Sequence, residues 1–134
     1  MMTMTHSDIE SLTCRIVAES LGRPVDTIQL TSVLMSDLGA ESLDFLDIVF
    51  RLEREFGIQI TRGEMEKASR GDMTAEEFAP QGVLSERGLA RLRELMPEAS
   101  DRIQPGLRPN MILTLFSVQT FANMVIGKRE GRTV

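Results

Sequence analysis

Apolar residues recur at three- and four-residue spacing in four stretches of the chain, the signature of helices with one buried face. In the first stretch, Ile9, Leu12, Ile16 and Val17 form a stripe that Ser7 is placed to cap and that Gly22 and Pro24 stop. The second runs from Ser42 to Phe56 and is ended by Gly57, a residue suited to the left-handed conformation past a helix end. Its interior stripe is Phe45, Ile48, Val49, Leu52 and Phe56, with Asp44, Asp47, Arg51, Glu53, Arg54 and Glu55 on the outside. Leu43, Leu46 and Phe50 make a second apolar strip beside the acids, which core packing would also explain. In the third stretch Ser85 precedes Leu89, Leu92 and Leu95; in the fourth Ser117 precedes Val118, Phe121, Ala122, Val125 and Ile126, closed by Gly127.

The connections differ in character. From Arg23 to Ala40 the pattern is irregular, a long loop pinned by Val25, Ile28, Leu30, Val33, Leu34 and Leu38. Between Ile60 and Met111 lie fifty residues in which Thr74-Ala75-Glu76-Glu77 fits a capping box before Phe78. Pro80, Pro97, Pro105 and Pro109 punctuate this region, so short helices joined by turns are expected. The chain therefore reads as all-α, with a basic, frayed tail at 128–134.

Composition narrows the class. A chain of 134 residues suits one domain, and a domain of this size buries roughly two thirds of its unfolded surface. Hydrophobic residues at 42% and charged residues at 26% argue against wholesale disorder. The net charge of -5 is uneven: residues 1–60 carry ten acids against four bases. That half repels phosphate backbones and suits basic partner surfaces, and six Phe with no Trp or Tyr offer few stacking platforms. Nucleic acid is therefore not an expected partner. Cys14 is the single cysteine, so it forms no intramolecular disulfide, and its neighbours Leu12, Ile16 and Val17 place it in the core. No secretory signal opens the chain, and Met111–Phe116 is too short an apolar run to span a bilayer. A cytoplasmic monomer is expected.

The candidate chemistry sits where the loop enters the second helix, at Asp37-Leu38-Gly39-Ala40-Glu41-Ser42-Leu43-Asp44. Ser42 offers a hydroxyl at a helix mouth, where unpaired N–H groups and the helix dipole favour a phosphate. A serine needs a neighbouring base to act as a nucleophile in its own right, and the sole histidine, His6, lies in the N-terminal segment. A self-contained hydrolase is not supported. The acids Asp37, Glu41, Asp44 and Asp47 do not follow the alternating ligand spacing of an EF-hand loop, so no metal site is assigned.

An Asp-x-Gly turn before Ser42, Leu-Asp after it and a helix ending in Glu-Phe-Gly-Ile together resemble the attachment signature of acyl carrier proteins, with Glu41 where that family usually has Asp. The resemblance implies a four-helix bundle whose serine, Ser42, receives 4'-phosphopantetheine from coenzyme A. A separate phosphopantetheinyl transferase supplies the metal and the base, and the carrier itself catalyses nothing. It further implies docking of acyl-loading, elongating or acyltransferase enzymes on the face formed by Asp37, Glu41, Leu43, Asp44, Leu46, Asp47 and Phe50. An apolar strip flanked by carboxylates combines steering at long range with burial on contact. Phe45, Ile48, Val49, Leu52, Phe121 and Val125 are candidates for lining an acyl pocket, although packing alone also explains them.

The resemblance covers residues 7–60 and 111–127, which makes 61–110 a helical insertion between helix II and the last helix of a single carrier domain, 1–134. In this the chain is similar to specialised bacterial carriers dedicated to unusual acyl chains. The insertion then covers a long acyl chain, offers one enzyme a private surface, or is a surface elaboration that the fold tolerates. Fatty-acid, specialised lipid and polyketide-type synthesis all remain open, as do an aminoacyl or aryl carrier and an interaction module in which Ser42 is never modified.

Overall fold

The computed structural model describes residues 4–131, apart from the side chain of Arg62. Its elements are α1 (His6–Leu21), α2 (Leu34–Leu38), α3 (Ser42–Phe56), α4 (Arg62–Arg70), α5 (Ala75–Phe78), α6 (Glu86–Leu95) and α7 (Val118–Arg129). Short 3-10 segments at Val25–Thr27, Pro80–Gly82, Pro97–Arg102 and Pro109–Leu115 join them. No strand forms among the described residues, and the fold is the all-α bundle expected.

The long helices make the frame, with α1 packed against both α3 and α7. Their common interior is aromatic: the rings of Phe45, Phe116 and Phe121 lie 5.4–6.0 Å apart, within the range of tilted and edge-on pairs. Each such side chain is worth about 1.5–3 kcal/mol when fully buried. The first N–H groups of α7 have no partner within their own helix, and the loop before α2 supplies one: Val118 N–H donates to Ser32 O at 3.0 Å and Gln119 N–H to Leu30 O at 2.9 Å. Leu34 N–H donates in turn to Phe116 O at 2.9 Å, beside a bridge between Val33 and Ser117. The loop that carries the chain into α3 is thereby fixed to the mouth of α7.

The segment 61–110 is part of the same core. Met73, Phe78, Leu84, Leu89, Leu92, Met96 and Ile103 are buried in one continuous cluster with Ile16, Leu34, Phe45, Ile48, Leu52 and Phe121. The capping box predicted at Thr74 is present, with Glu77 N–H donating to Thr74 Oγ1 and Thr74 N–H to Glu77 Oε1. Ser85 caps α6 as expected. Helix α4 was not anticipated; it lies against α6 and is tied to α7 by the Lys128–Glu64 ion pair.

Several expectations need correction. The cap of α1 is Thr5, not Ser7, in a reciprocal box with Asp8. The loop from Arg23 to Ala40 contains α2 and a 3-10 turn, and Val25, expected as an anchor, is 51% exposed because that turn points it outward. Helix α7 continues through Gly127, which is buried at a negative φ, to Arg129. The basic tail therefore starts later than residue 128, and its residues 132–134 lie outside the described residues, as do residues 1–3.

Candidate functional site

Ser42 is the first residue of α3 and is exposed. Its position is set by three local features. Gly39 adopts φ +70°, ψ 22° and ends α2, a backbone conformation with little cost only for glycine. Ala40 then turns inward, its N–H donating to Leu34 O at 2.9 Å. Glu41 is extended and stands as the cap, its N–H held by Asp44 Oδ2 at 2.7 Å. Ser42 is thus one residue inside the helix, where its own N–H and that of Leu43 have no carbonyl a turn behind them. Its Oγ enters none of the described side-chain hydrogen bonds. The only histidine bonds elsewhere, His6 Nε2 meeting Glu130 Oε2 at 2.7 Å.

The strip expected beside the serine is on the surface. Leu43, Leu46 and Phe50 are 77%, 51% and 54% exposed, and they recur along the solvent side of α3 while Phe45, Ile48, Leu52 and Phe56 are buried on the other. Val49 is half-buried. Three large apolar side chains are left in water on one helix, so their burial contributes little to the fold.

The acids divide by task. Asp37 Oδ2 accepts from Val33 N–H at 2.8 Å and closes the first turn of α2, and Asp44 does the same for α3 by accepting from the N–H of its cap, Glu41. Asp47 joins α3 to α1: its Oδ2 accepts from the Ser20 hydroxyl at 2.6 Å and from Arg51 Nε at 2.7 Å, and Arg51 also reaches Glu19 at 3.7 Å. The Ser20 hydroxyl and then the Arg51 guanidinium hold the Asp47 carboxyl below the ordinary carboxylate range. Sequence reasoning placed Asp47 on the outward face and did not foresee the Ser20 contact, which joins residues 27 positions apart. No group of three or more His, Cys, Asp or Glu side chains converges among the described residues.

The residues proposed for a pocket are packed together. Phe45, Ile48, Leu52, Phe121 and Val125 are buried, and Phe116, which sequence reasoning did not single out, completes the aromatic contact between α3 and α7. Cys14 is half-buried, and burial followed by the nearby Glu10 carboxylate pushes its thiol up.

Comparison with known proteins agrees with this arrangement. The family described as "Phosphopantetheine attachment site" matches residues 11–75, a span that runs from within α1 to the start of α5 with Ser42 near its middle. The "Acyl carrier protein AcpXL" of Rhizobium meliloti (strain 1021) is 41% identical over 64 residues, which is 47% of this chain and 67% of that protein. The chain belongs to the acyl carrier protein family. As a phosphopantetheine carrier it is a bearer of cargo and not an enzyme, and it works with a transferase that installs the arm and with enzymes that act on its acyl groups. The chain's own groups fit a 4'-phosphopantetheine arm: an exposed hydroxyl stands beside unpaired N–H groups at a helix start. No helix among the described residues is long and apolar enough to cross a membrane.

Proposed function

We propose that Ser42 is the residue that bears the 4'-phosphopantetheine arm, and that the carrier serves a specialised acyl pathway in the cytoplasm as a monomer. The observation that carries the site is the exposure of Ser42 at the first position of α3, with Leu43, Leu46 and Phe50 bare on the same helix. A phosphodiester there meets the N–H groups of the helix mouth and the positive end of its dipole. The arm supplies a terminal thiol that holds the acyl group as a thioester, and its reach raises the effective concentration of cargo at successive active sites.

Docking falls to Leu43, Leu46 and Phe50, with the carboxylates of Asp37, Glu41 and Asp44 around them as the steering charge. Asp47 contributes charge to the same face but is committed first to the α1–α3 junction. The whole chain, 1–134, acts as one carrier domain in which 7–60 and 111–127 form the carrier core and 61–110 an insertion. A shared apolar cluster supports that reading. The insertion restricts the carrier to a dedicated cargo or enzyme. Fatty-acid, specialised lipid or polyketide-type synthesis is the setting, and the acyl group on the arm is what distinguishes them.

Intact mass tests the site. With coenzyme A and a broad-specificity transferase, the wild type should gain one phosphopantetheine and Ser42→Ala none; equal gain by both would move the site elsewhere.

A further inference from the structure

Within 61–110 a cleft of about 430 Å³ opens between the end of α4 and the outer face of α6. Three arginines, Arg70, Arg87 and Arg91, line it against two acids, Asp72 and Glu94, with the side chain of Met73 in the wall. Each arginine is held differently. Arg91 is half-buried and fixed: its Nε and Nη2 donate to Ala68 O at 3.1 and 3.0 Å, and its Nη1 stands 3.9 Å from Glu94. Gly71, at φ +60° and ψ -128°, lets the backbone pass this guanidinium, since a Cβ there would come within 3.1 Å of Arg91 Nε. Arg87 is exposed and reaches Glu77 at 3.4 Å. Arg70 is half-buried, and its side chain enters no described hydrogen bond or ion pair.

Three arginines against two acids leave this lining one charge positive in a chain of net charge -5. Guanidinium groups present forked donors that match the oxygens of phosphate and carboxylate, and one already pinned by a carbonyl loses less freedom on binding. The volume lies at the small end of ligand sites, and two acids on the rim oppose a polyanion. Nucleic acid does not fit these features; a compact anion does.

We propose that this cleft binds a small oxyanion, with Arg70 and Arg91 as principal donors and Arg87 as a third. The site is independent of the arm at Ser42, so Ser42→Ala should bind equally well. The test is a nuclear magnetic resonance titration of the full chain with inorganic phosphate, pyrophosphate and citrate at constant ionic strength, sodium chloride serving as the reference. Saturable shifts at Gly71 and the Arg91 Nε–H are expected, weakened about tenfold or more in Arg70→Gln and in Arg87→Gln, and unchanged in Arg23→Gln, an exposed position outside the cleft. Preference for phosphate and pyrophosphate assigns a phosphate ligand, and preference for citrate a carboxylate ligand. Shifts that do not saturate, that sodium chloride reproduces, or that persist in both arginine variants would mean an adventitious ion only and overturn the proposal. Spectra of the variants that match the wild type away from α4 and α6 exclude misfolding as the cause of lost binding.

Discussion

Gly88 is the position where two opposed effects on a helix can be weighed against each other. It lies in the first turn of α6, and alanine in a helix is favoured over glycine by roughly 1 kcal/mol, so Gly88→Ala would stabilise an isolated helix. In this fold a Cβ at position 88 would sit 2.5 Å from the carbonyl oxygen of Phe78 and 3.1 Å from its ring. The carbonyl is backbone, and it already accepts from Ser85 N–H at 2.9 Å and from the Ser85 hydroxyl at 3.3 Å, so it cannot yield without weakening the cap of α6. Overpacking of this kind costs about 1–3 kcal/mol, and the weakened hydrogen bonds add about 1 kcal/mol. The net expectation is destabilisation by about 1–3 kcal/mol, or a fall in melting temperature of roughly 3–9 °C. Thermal and urea unfolding followed by circular dichroism measures it. Because Phe78 and Leu89 share the cluster that includes Phe45 and Phe121, the loss should appear as one cooperative transition. A Gly88→Ala chain more stable than wild type would refute the packing of α5 on α6, and two separated transitions would refute the shared core.

Other consequences follow from single contacts. Leu46→Ala and Phe50→Ala should change stability by less than about 0.5 kcal/mol, since both side chains are exposed, yet lower kcat/KM for the transferase or an acyl-loading enzyme; unchanged kinetics in both would remove the docking role. Asp47 has a folded-state pKa below its unfolded value, so its contribution is present above the unfolded value and is lost as pH falls through the folded one. The stability gap between wild type and Asp47→Asn should therefore narrow as pH falls from about 5 towards 2, and a gap constant with pH would contradict the Ser20 and Arg51 contacts. The thiol of Cys14, raised by burial and by Glu10, should alkylate far more slowly at pH 8 in the folded chain than in urea. Equal rates would place it in solvent.

Much of this arrangement is legible in the residues because it is local. The bounds of α3 follow from its apolar period and from Gly57, which sits at φ +64° past the last turn. The boxes at Thr74 and Ser117 are set by side chains three residues apart. Where two local solutions compete, the pattern is ambiguous: Thr5 and Ser7 each have an acid three residues on, Asp8 and Glu10, and the observed cap gives the longer helix. Helix α4 escaped notice because Met65 and Ala68 are its only large or small apolar residues, so its place is decided by α6 and Lys128 rather than by its own period. The strip of Leu43, Leu46 and Phe50 beside Ser42 was readable from the α3 sequence, but its spacing suits core packing as well as exposure, and only the fold decides between them. The Asp47–Ser20 contact, the Phe116 ring and the arginine cleft join residues distant in sequence, and no spacing rule points to them.

The central claim is that Ser42 carries the arm. Protein isolated from its own host should be digested and its peptides mapped by mass spectrometry. The account predicts one phosphopantetheine, carrying an acyl group or a free thiol, on the peptide that contains Ser42 and on no other. An unmodified Ser42 peptide in protein fully active with its partner enzymes, or an arm on another residue, would contradict it.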